Sequence, residues 1–299
     1  METSLLVTGG SGQLGWRVLE LLLEARVGRL IATTRTPEKL ADLASRGVTV
    51  RKADFDDAAS LPHAFAGADR LLLISSDAVE KPGRRIAQHR AAVQAAIEAG
   101  VKHVIYTSLT HPEPGSPVTF AGDHYGTEQA LAASPLGWTI LRNNVYTDFL
   151  MRALPQAAAT GKLVAAAGQG GAGYVTREDC ARAAAAALSS TGLDRKILDI
   201  TGPAVVTHVE LAKMASDLTG RPVTYVPIEP EELRKSLTTA GVPEVFANIV
   251  VSFDVARAKG TLAVVSNAVA ELTGRAPMSV AAFLESQRAA LIPAAKATN

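Results

Sequence analysis

Short apolar runs alternate with Ala- and Leu-rich stretches over the first half of the chain. "SLLVT", "RLIATT", "VTVRKAD", "DRLLLISS", "VKHVIYTS" and "GWTILRNN" read as strands. The segments between them carry a helical period. "QLGWRVLELLLEA" sets Leu14, Val18, Leu21 and Leu22 on one face. "TPEKLADLASRG" opens on Pro37 and ends at Gly47, and "RRIAQHRAAVQAAIEAG" closes at Gly100. "DDAASLPHAFAG" predicts a short helix bent near Pro62, and "TEQALAAS" predicts another. Strands that are apolar on both faces and separated by helices belong to a parallel sheet covered on both sides. Right-handed crossovers then make the α/β fold doubly wound.

After Asn144 the alternation loosens. "YTDFLMRALPQAAATGKL" predicts a helix and a turn, "YVTREDCARAAAAALSS" a helix entered through a polar turn, and "KILDITGP" a late strand. From about Ala204 short helices, Gly/Pro-rich loops and the strand "VTYVPI" suggest a smaller lobe over the sheet edge. The division expected is a nucleotide-sized domain over 1–150, completed by about 173–202. The lobe is expected over 203–299, with about 151–172.

Composition narrows the function classes. The 299 residues are 47% hydrophobic and 20% charged, with a formal net charge of +1. That balance offers no basic surface for nucleic acid and no acidic tail for a basic partner. Apolar runs fall short of the roughly 18 residues that span a bilayer, so no membrane insertion is expected. The glycine-rich stretch follows the first residues directly, and no secretory leader is expected. Cys180 is the single cysteine, which excludes an intrachain disulfide framework and fits a reducing cytoplasm. A monomer or homodimer is expected. His63, His89, His103, His111, His124 and His208 lack metal-ligand spacing.

The stretch "LLVTGGSGQLGWRV" carries glycines spaced G-x-x-G-x-x-G between a strand and a helix. Gly9 permits the tight turn, Gly12 lets backbone approach a pyrophosphate, and Gly15 lets helix and strand pack closely. The helix N-terminus adds unpaired N–H groups and partial positive charge. Thr8, Gly9, Ser11, Gly12, Gln13, Leu14 and Gly15 are therefore the expected cradle. A carboxylate after the second strand would select NAD; here Arg35 stands, whose guanidinium suits a 2′-phosphate and points to NADPH over NADH. Asp54, in "KADFDD" beside Phe55, is a candidate for the adenine amino group or for a helix cap. Ser75, Ser76, Thr107 and Ser108 sit where strand ends meet ligands, either lining the nicotinamide ribose or capping the strands.

"TGGSGQLG", the Arg after the second strand, "KADFDD", "LLLISS", "YTS", "DHYGTEQ" and "LRNNVY" together resemble the NmrA-like group of atypical short-chain dehydrogenases. Within it, the likeness is to bacterial NADPH:quinone oxidoreductases of type 2 and triphenylmethane reductases. "ELAKMASDLTGRPVTY" and "LTGRAPMSVAAFL" extend it over essentially the whole chain. The resemblance implies a Rossmann-type domain, a smaller α/β C-terminal lobe, and NADPH in the cleft between them. The same group also contains redox-sensing regulators that bind a dinucleotide without turning it over.

Ordinary short-chain dehydrogenases use a Y-x-x-x-K pair, whose lysine lowers the tyrosine pKa. This chain reads Tyr125-Gly126-Thr127-Glu128-Gln129, and Gln129 has no charge to do so. Alcohol–ketone chemistry is disfavoured. A quinone asks for less, because hydride addition leaves a hydroquinone anion, a far weaker base than an alkoxide. His124 and Tyr125 are the candidate proton donors or carbonyl-orienting groups, against a packing role. Asn143 is a candidate to fix the nicotinamide or a substrate oxygen, against a bond to its own backbone. Gln129 is grouped with the cofactor-binding residues. Tyr146 and Phe149 form either an apolar wall for a flat ring or core, and Arg177 and Asp179 read as architectural. The expected function is an NADPH-dependent reductase of quinones or similar conjugated acceptors. The alternatives are a non-catalytic dinucleotide sensor and a tailoring enzyme of aromatic natural products.

Overall fold

Strands and helices alternate from the first described residues, and the computed structural model describes residues 2–291. The chain runs β1 (Ser4–Val7), α1 (Gln13–Ala25), β2 (Arg29–Thr34), α2 (Ala41–Ser45), β3 (Thr49–Lys52), α3 (Leu61–Phe65), β4 (Arg70–Leu73), α4 (Arg84–Glu98), β5 (His103–Leu109), α5 (Ala121–Ala132) and β6 (Gly137–Asn143). It leaves the sheet through α6 (Leu154–Thr160), β7 (Lys162–Ala165) and β8 (Gly171–Ala172), then returns with α7 (Arg177–Ser189) and β9 (Lys196–Ile200). The remainder is β10 (Val206–Thr207), α8 (His208–Thr219), β11 (Thr224–Pro227), α9 (Pro230–Thr239), α10 (Glu244–Ala258), α11 (Ala268–Thr273), α12 (Val280–Ser286) and α13 (Arg288–Leu291).

The main sheet has seven strands in the order β3-β2-β1-β4-β5-β6-β9, and every neighbouring pair is parallel. This is the doubly wound arrangement expected from the apolar strands, with β9 as its seventh member. One face is covered by α1, α7 and α11, whose Val18, Leu22, Ala184, Leu188 and Val269 share a core with Val7 and Leu141. The alanines of α7 let it approach α1 closely. The other face is covered by α3, α4 and α5 over Phe65, Val93, Leu131, Tyr106 and Ile140. Burying each leucine- or valine-sized side chain fully contributes about 1.5–3 kcal/mol.

A third core gathers Leu154, Leu163, Tyr174, Leu211, Ala215, Ala256 and Leu284 and continues to Leu109, Val118 and Ala121 of β5 and the start of α5. There β7 pairs with β11 and β8 with β10. Residues 268–273, grouped with the lobe from sequence, form α11 and contribute Ala268 and Val269 to the core of the first sheet face. No helix among the described residues is long and apolar enough to cross a membrane.

Candidate functional site

Open sheets of this kind bind ligands beyond the C-terminal ends of their strands, where the strand order reverses on either side of β1. There Thr8 fastens β1 to β4. Its hydroxyl donates to Leu72 O at 3.1 Å and accepts from Ile74 N–H at 2.9 Å. Gly9 follows with φ +61°, a conformation that favours glycine. Gly12 N–H returns to Gly9 O at 2.9 Å, closing the loop. A Cβ at Gly15 would lie 2.5 Å from Gly9 O, so the helix can approach the loop only with glycine there. Leu14 is buried beneath, while Ser11, Gly12 and Gln13 are exposed at the rim.

Helix α1 begins at Gly12 with no side-chain cap and no acidic residue in its first turn. Thr176 caps α7, Thr207 caps α8 through a capping box and Ser279 caps α12, while most other helices lack a side-chain cap as α1 does. The first-turn N–H groups of α1 therefore face the glycine loop without a partner from the chain, and the loop fits a dinucleotide's diphosphate. Ser11 and Thr34 hydroxyls share a 2.8 Å hydrogen bond, which ties the loop to the end of β2, next to Arg35. Arg35 is exposed and, among the described residues, makes no ion pair. Nearby, Arg84 pairs with Asp56 and Gln88 donates to it at 2.8 Å. Arg84 chiefly, then Gln88, hold the Asp56 carboxyl well below the usual range, and Arg35 adds to the effect. Asp54 Oδ1 accepts from Asp56 N–H at 3.0 Å in a local turn. Phe55 is half-buried against the α3–α4 core.

The strand β4 ends at Leu73, so Ser75 and Ser76 lie in the following loop. Ser75 N–H donates to Thr107 Oγ1 at 2.9 Å. Ser76 is held on three sides by α4. Its N–H donates to His89 Nε2 at 3.0 Å, its hydroxyl to Gln88 Oε1 at 2.7 Å, and its carbonyl accepts from Arg85 Nε at 2.6 Å. Arg85 Nη2 also reaches His124 Nε2 at 3.0 Å. A guanidinium only donates, so Nε2 accepts and Nδ1 carries the proton toward Tyr106 Oη, 2.9 Å away. The same logic puts the His89 proton on Nδ1, facing Thr127 Oγ1 at 3.0 Å. Burial first and the Arg85 charge second push His89 down to about 3 and His124 far below its ordinary value. Both imidazoles are neutral, and both ring nitrogens of each are engaged. Burial also raises the Tyr106 phenol.

Helix α5 turns His124, Thr127, Glu128 and Leu131 into the protein. Tyr125 is half-buried and Gln129 exposed, on the neighbouring face. Glu128 accepts from Ser108 Oγ at 2.6 Å and from Arg142 at 2.7 and 3.0 Å. At the end of β6, Asn143 Nδ2 donates to Tyr146 Oη at 3.2 Å, while its Oδ1 is enclosed without a partner. Arg177 pairs with Asp148 at 2.8 Å and lies over the Tyr146 ring at 5.1 Å. Asp179 accepts from Thr176 Oγ1 at 2.7 Å and from Met278 N–H at 2.9 Å. These contacts tie α7 to the loop after β6 and to the C-terminal segment. Cys180 is fully buried, and burial pushes its thiol up.

Comparison with known proteins decides the class of this cradle. The family described as NAD(P)H-binding matches residues 9–191, from Gly9 through α7. The chain belongs to this NAD(P)H-binding family. It is 37% identical over 276 residues to quinone oxidoreductase 2 of Escherichia coli (strain K12), covering 92% of this chain and 95% of that protein. The solved structure of the NADPH-dependent quinone oxidoreductase from Escherichia coli complexed with NADPH superposes with a TM-score of 0.89 at 36% identity, covering 95% of this chain and 99% of that one. Citrobacter sp. triphenylmethane reductase complexed with NADP(H) gives a TM-score of 0.87 at 35% identity, with the same coverage. The NmrA-like resemblance is borne out, and the chain is an NAD(P)H-dependent oxidoreductase.

Within this NAD(P)H-binding frame, the expected residues from Thr8 to Gly15 lie on one turn, with Thr34 and Arg35 beside them. Thr107 and Asn143 lie on the neighbouring strands β5 and β6, and Ser75 and Ser76 lie in the loop that follows β4. Gln129 makes no side-chain hydrogen bond among the described residues. Arg85, His89, Tyr106, Glu128 and Arg142 were missed from sequence. The signals for them were the Arg85/His89 spacing of four on α4 and a tyrosine inside an apolar strand. A groove of about 620 Å³ opens in the lobe between Ala166, Pro227, Pro230 and Ala258, and no residue of the glycine loop lines it.

Proposed function

We propose that the chain is an NADPH-dependent reductase of quinones or similar flat, conjugated acceptors. The observation that carries this reading is the pairing of an uncapped glycine cradle with buried histidines that are neutral and hydrogen-bonded at both ring nitrogens. NADPH is favoured over NADH because Arg35 is exposed, makes no ion pair among the described residues and is adjacent to the Ser11–Thr34 bridge. Bound NADPH supplies a hydride. The glycine loop and the first turn of α1 hold the diphosphate, and Arg35 takes the 2′-phosphate. Asp54 and Phe55 lie toward the adenine end. Ser75, Ser76, Thr107 and Asn143 border the nicotinamide end, where the unpartnered Asn143 Oδ1 is suited to the carboxamide N–H.

Proton delivery separates a quinone from a ketone. His124 is buried, neutral and bonded at both nitrogens, so it orients Tyr106 and Arg85 rather than giving up a proton. Gln129 cannot lower a phenol pKa. Tyr125, half-buried one residue along, remains to hydrogen-bond an acceptor oxygen. A hydroquinone anion takes its last proton from water, whereas an alkoxide needs an acid in place. The names of the relatives, among them an NAD(P)H azoreductase of Xenophilus azovorans at 28% identity over 96% of this chain, support conjugated acceptors.

The test is steady-state oxidation of NADPH by purified protein with a naphthoquinone, an enone, an azo dye and an aliphatic ketone. Oxidation with the conjugated acceptors and none with the ketone is expected. Tight NADPH binding without oxidation by any of them would replace this reading with a dinucleotide sensor.

A further inference from the structure

Among the described residues, Arg85 is a buried charge with no ion-pair partner. It is 4% exposed. Its Nε and Nη2 are spent on Ser76 O and His124 Nε2, and Nη1 is enclosed without any acceptor. The other buried arginine, Arg257, pairs with Asp254 at 2.8 Å, and the half-buried Arg142 pairs with Glu128 at 2.7 Å. No carboxylate among the described residues forms an ion pair with Arg85; Asp77 and Asp123 are near enough only for their charge to be felt. Leaving a guanidinium buried and unpaired is costly, and such a cost persists where a ligand supplies the missing charge.

The position of Arg85 indicates which ligand does so. It lies on α4, on the sheet face opposite α1 and its diphosphate loop. It points toward the lobe, with the Phe120 ring 5.0 Å from its guanidinium carbon. Phe120 in turn meets Phe253 of α10 at 5.8 Å and His124 at 5.9 Å. Phe120 is only half-buried, so a flat acceptor stacked on it would feel the Arg85 charge across one ring, with no water between.

We propose that Arg85 sets the acceptor specificity of this chain, favouring acceptors that carry or acquire negative charge and disfavouring cationic dyes. The proposal rests on the reductase reading above. A neutral quinone that gains a hydride, two electrons with one proton, becomes a hydroquinone monoanion as NADPH becomes NADP⁺. One proton from water then completes the hydroquinone. The guanidinium field stabilises that monoanion as it forms. A cationic dye gains nothing, because hydride addition leaves it neutral and its ground state is repelled.

The test compares wild type with Arg85→Met, Arg85→Gln and Arg85→Lys, each checked for folding by its melting curve. The readout is the ratio of kcat/KM for a sulfonated naphthoquinone to that for a cationic triphenylmethane dye. A unit charge about 8 Å away at an effective dielectric near 20 is worth roughly thirtyfold for one charged acceptor, and the ratio of an anionic to a cationic acceptor changes by at least that. The ratio is expected to fall about thirtyfold or more in Arg85→Met and Arg85→Gln and to recover in Arg85→Lys. NADPH affinity, read by fluorescence, is expected to stay within about threefold. An unchanged ratio in folded Met and Gln variants would overturn the proposal. So would a loss of NADPH affinity with the ratio intact, which would assign the charge to the cofactor. If wild type reduces no acceptor, the reductase reading fails, and equilibrium binding of the same two dyes to the NADPH complex still reads the charge preference.

Discussion

Two glycines in one loop make opposite predictions, and the difference tests the cradle. A Cβ at Gly15 would stand 2.5 Å from Gly9 O, 2.9 Å from Gly9 C and 3.1 Å from Gly10 Cα. All three are backbone atoms, so nothing can rotate aside. In Gly15→Ala the gain in helix propensity is about 0.8–1 kcal/mol, while overpacking costs about 1–3 kcal/mol. The expected net loss is about 1 kcal/mol, a drop of roughly 2–4 °C in Tm. A Cβ at Gly12 meets only Gly9 O, at 3.2 Å, and its φ of −81° suits any residue. Gly12→Ala should leave Tm within about 2 °C. Its methyl group enters the space assigned to the diphosphate, which should weaken NADPH binding by about 1–3 kcal/mol, roughly ten- to a hundredfold in Kd. Gly122→Ala is the control: its Cβ meets nothing within 4 Å, and Tm should hold or rise. Thermal melts and NADPH fluorescence titration read all three. Wild-type NADPH affinity in Gly12→Ala would rule out a diphosphate at Gly12, and a raised Tm in Gly15→Ala would rule out the close approach at Gly15.

Other expectations follow from charge. Arg35→Ala should weaken NADPH by about 1.5–3 kcal/mol, with NADH changed less than about twofold; equal losses for both cofactors would remove the 2′-phosphate role. Glu128→Ala leaves Arg142 with Glu113 alone. Breaking a buried pair costs about 3–5 kcal/mol, so Tm should fall by on the order of 10 °C; a loss under about 2 °C would count against it. His89 is held down to about 3, and His103 and His208 to about 4, chiefly by burial. Their folded pKa values lie below the unfolded value near 6.5. The stability they contribute is present above pH 6.5 and is lost as pH falls toward 4 and then 3. Tm should decline across that window, and a Tm that rises on acidification would contradict the assignment.

Much of the fold was legible because its signals are local. Apolar strands without a polar face require cover on both sides, and the glycine loop needs only the residues from Thr8 to Gly15. Local signals failed where a distant group competes for the backbone. "LLLISS" reads as strand to its end, but Ile74 N–H turns to the Thr8 hydroxyl and β4 stops at Leu73. Residues 37–45 read as one helix and instead divide between a 3₁₀ turn at Pro37–Leu40 and the short α2. Similarly, a helical period gives faces without saying which one meets the sheet. The sequence offers His124 and Tyr125 together as candidates, and the fold separates them, with His124 and Glu128 on the buried side of α5 and Tyr125 on the neighbouring face. The network around Arg85 draws on α4, β5 and α5, which only the folded chain brings together.

We propose that this chain holds NADPH in the glycine cradle and passes its hydride to a conjugated acceptor without an ionisable proton donor. The most direct measurement mixes the preformed stoichiometric NADPH complex rapidly with excess naphthoquinone and follows the nicotinamide absorbance through one turnover, from pH 5.5 to 8.5. Stoichiometric bleaching at a rate nearly independent of pH is expected. Persistence of the absorbance with quinone present, or a rate that titrates through an ionisation near neutrality, would contradict it.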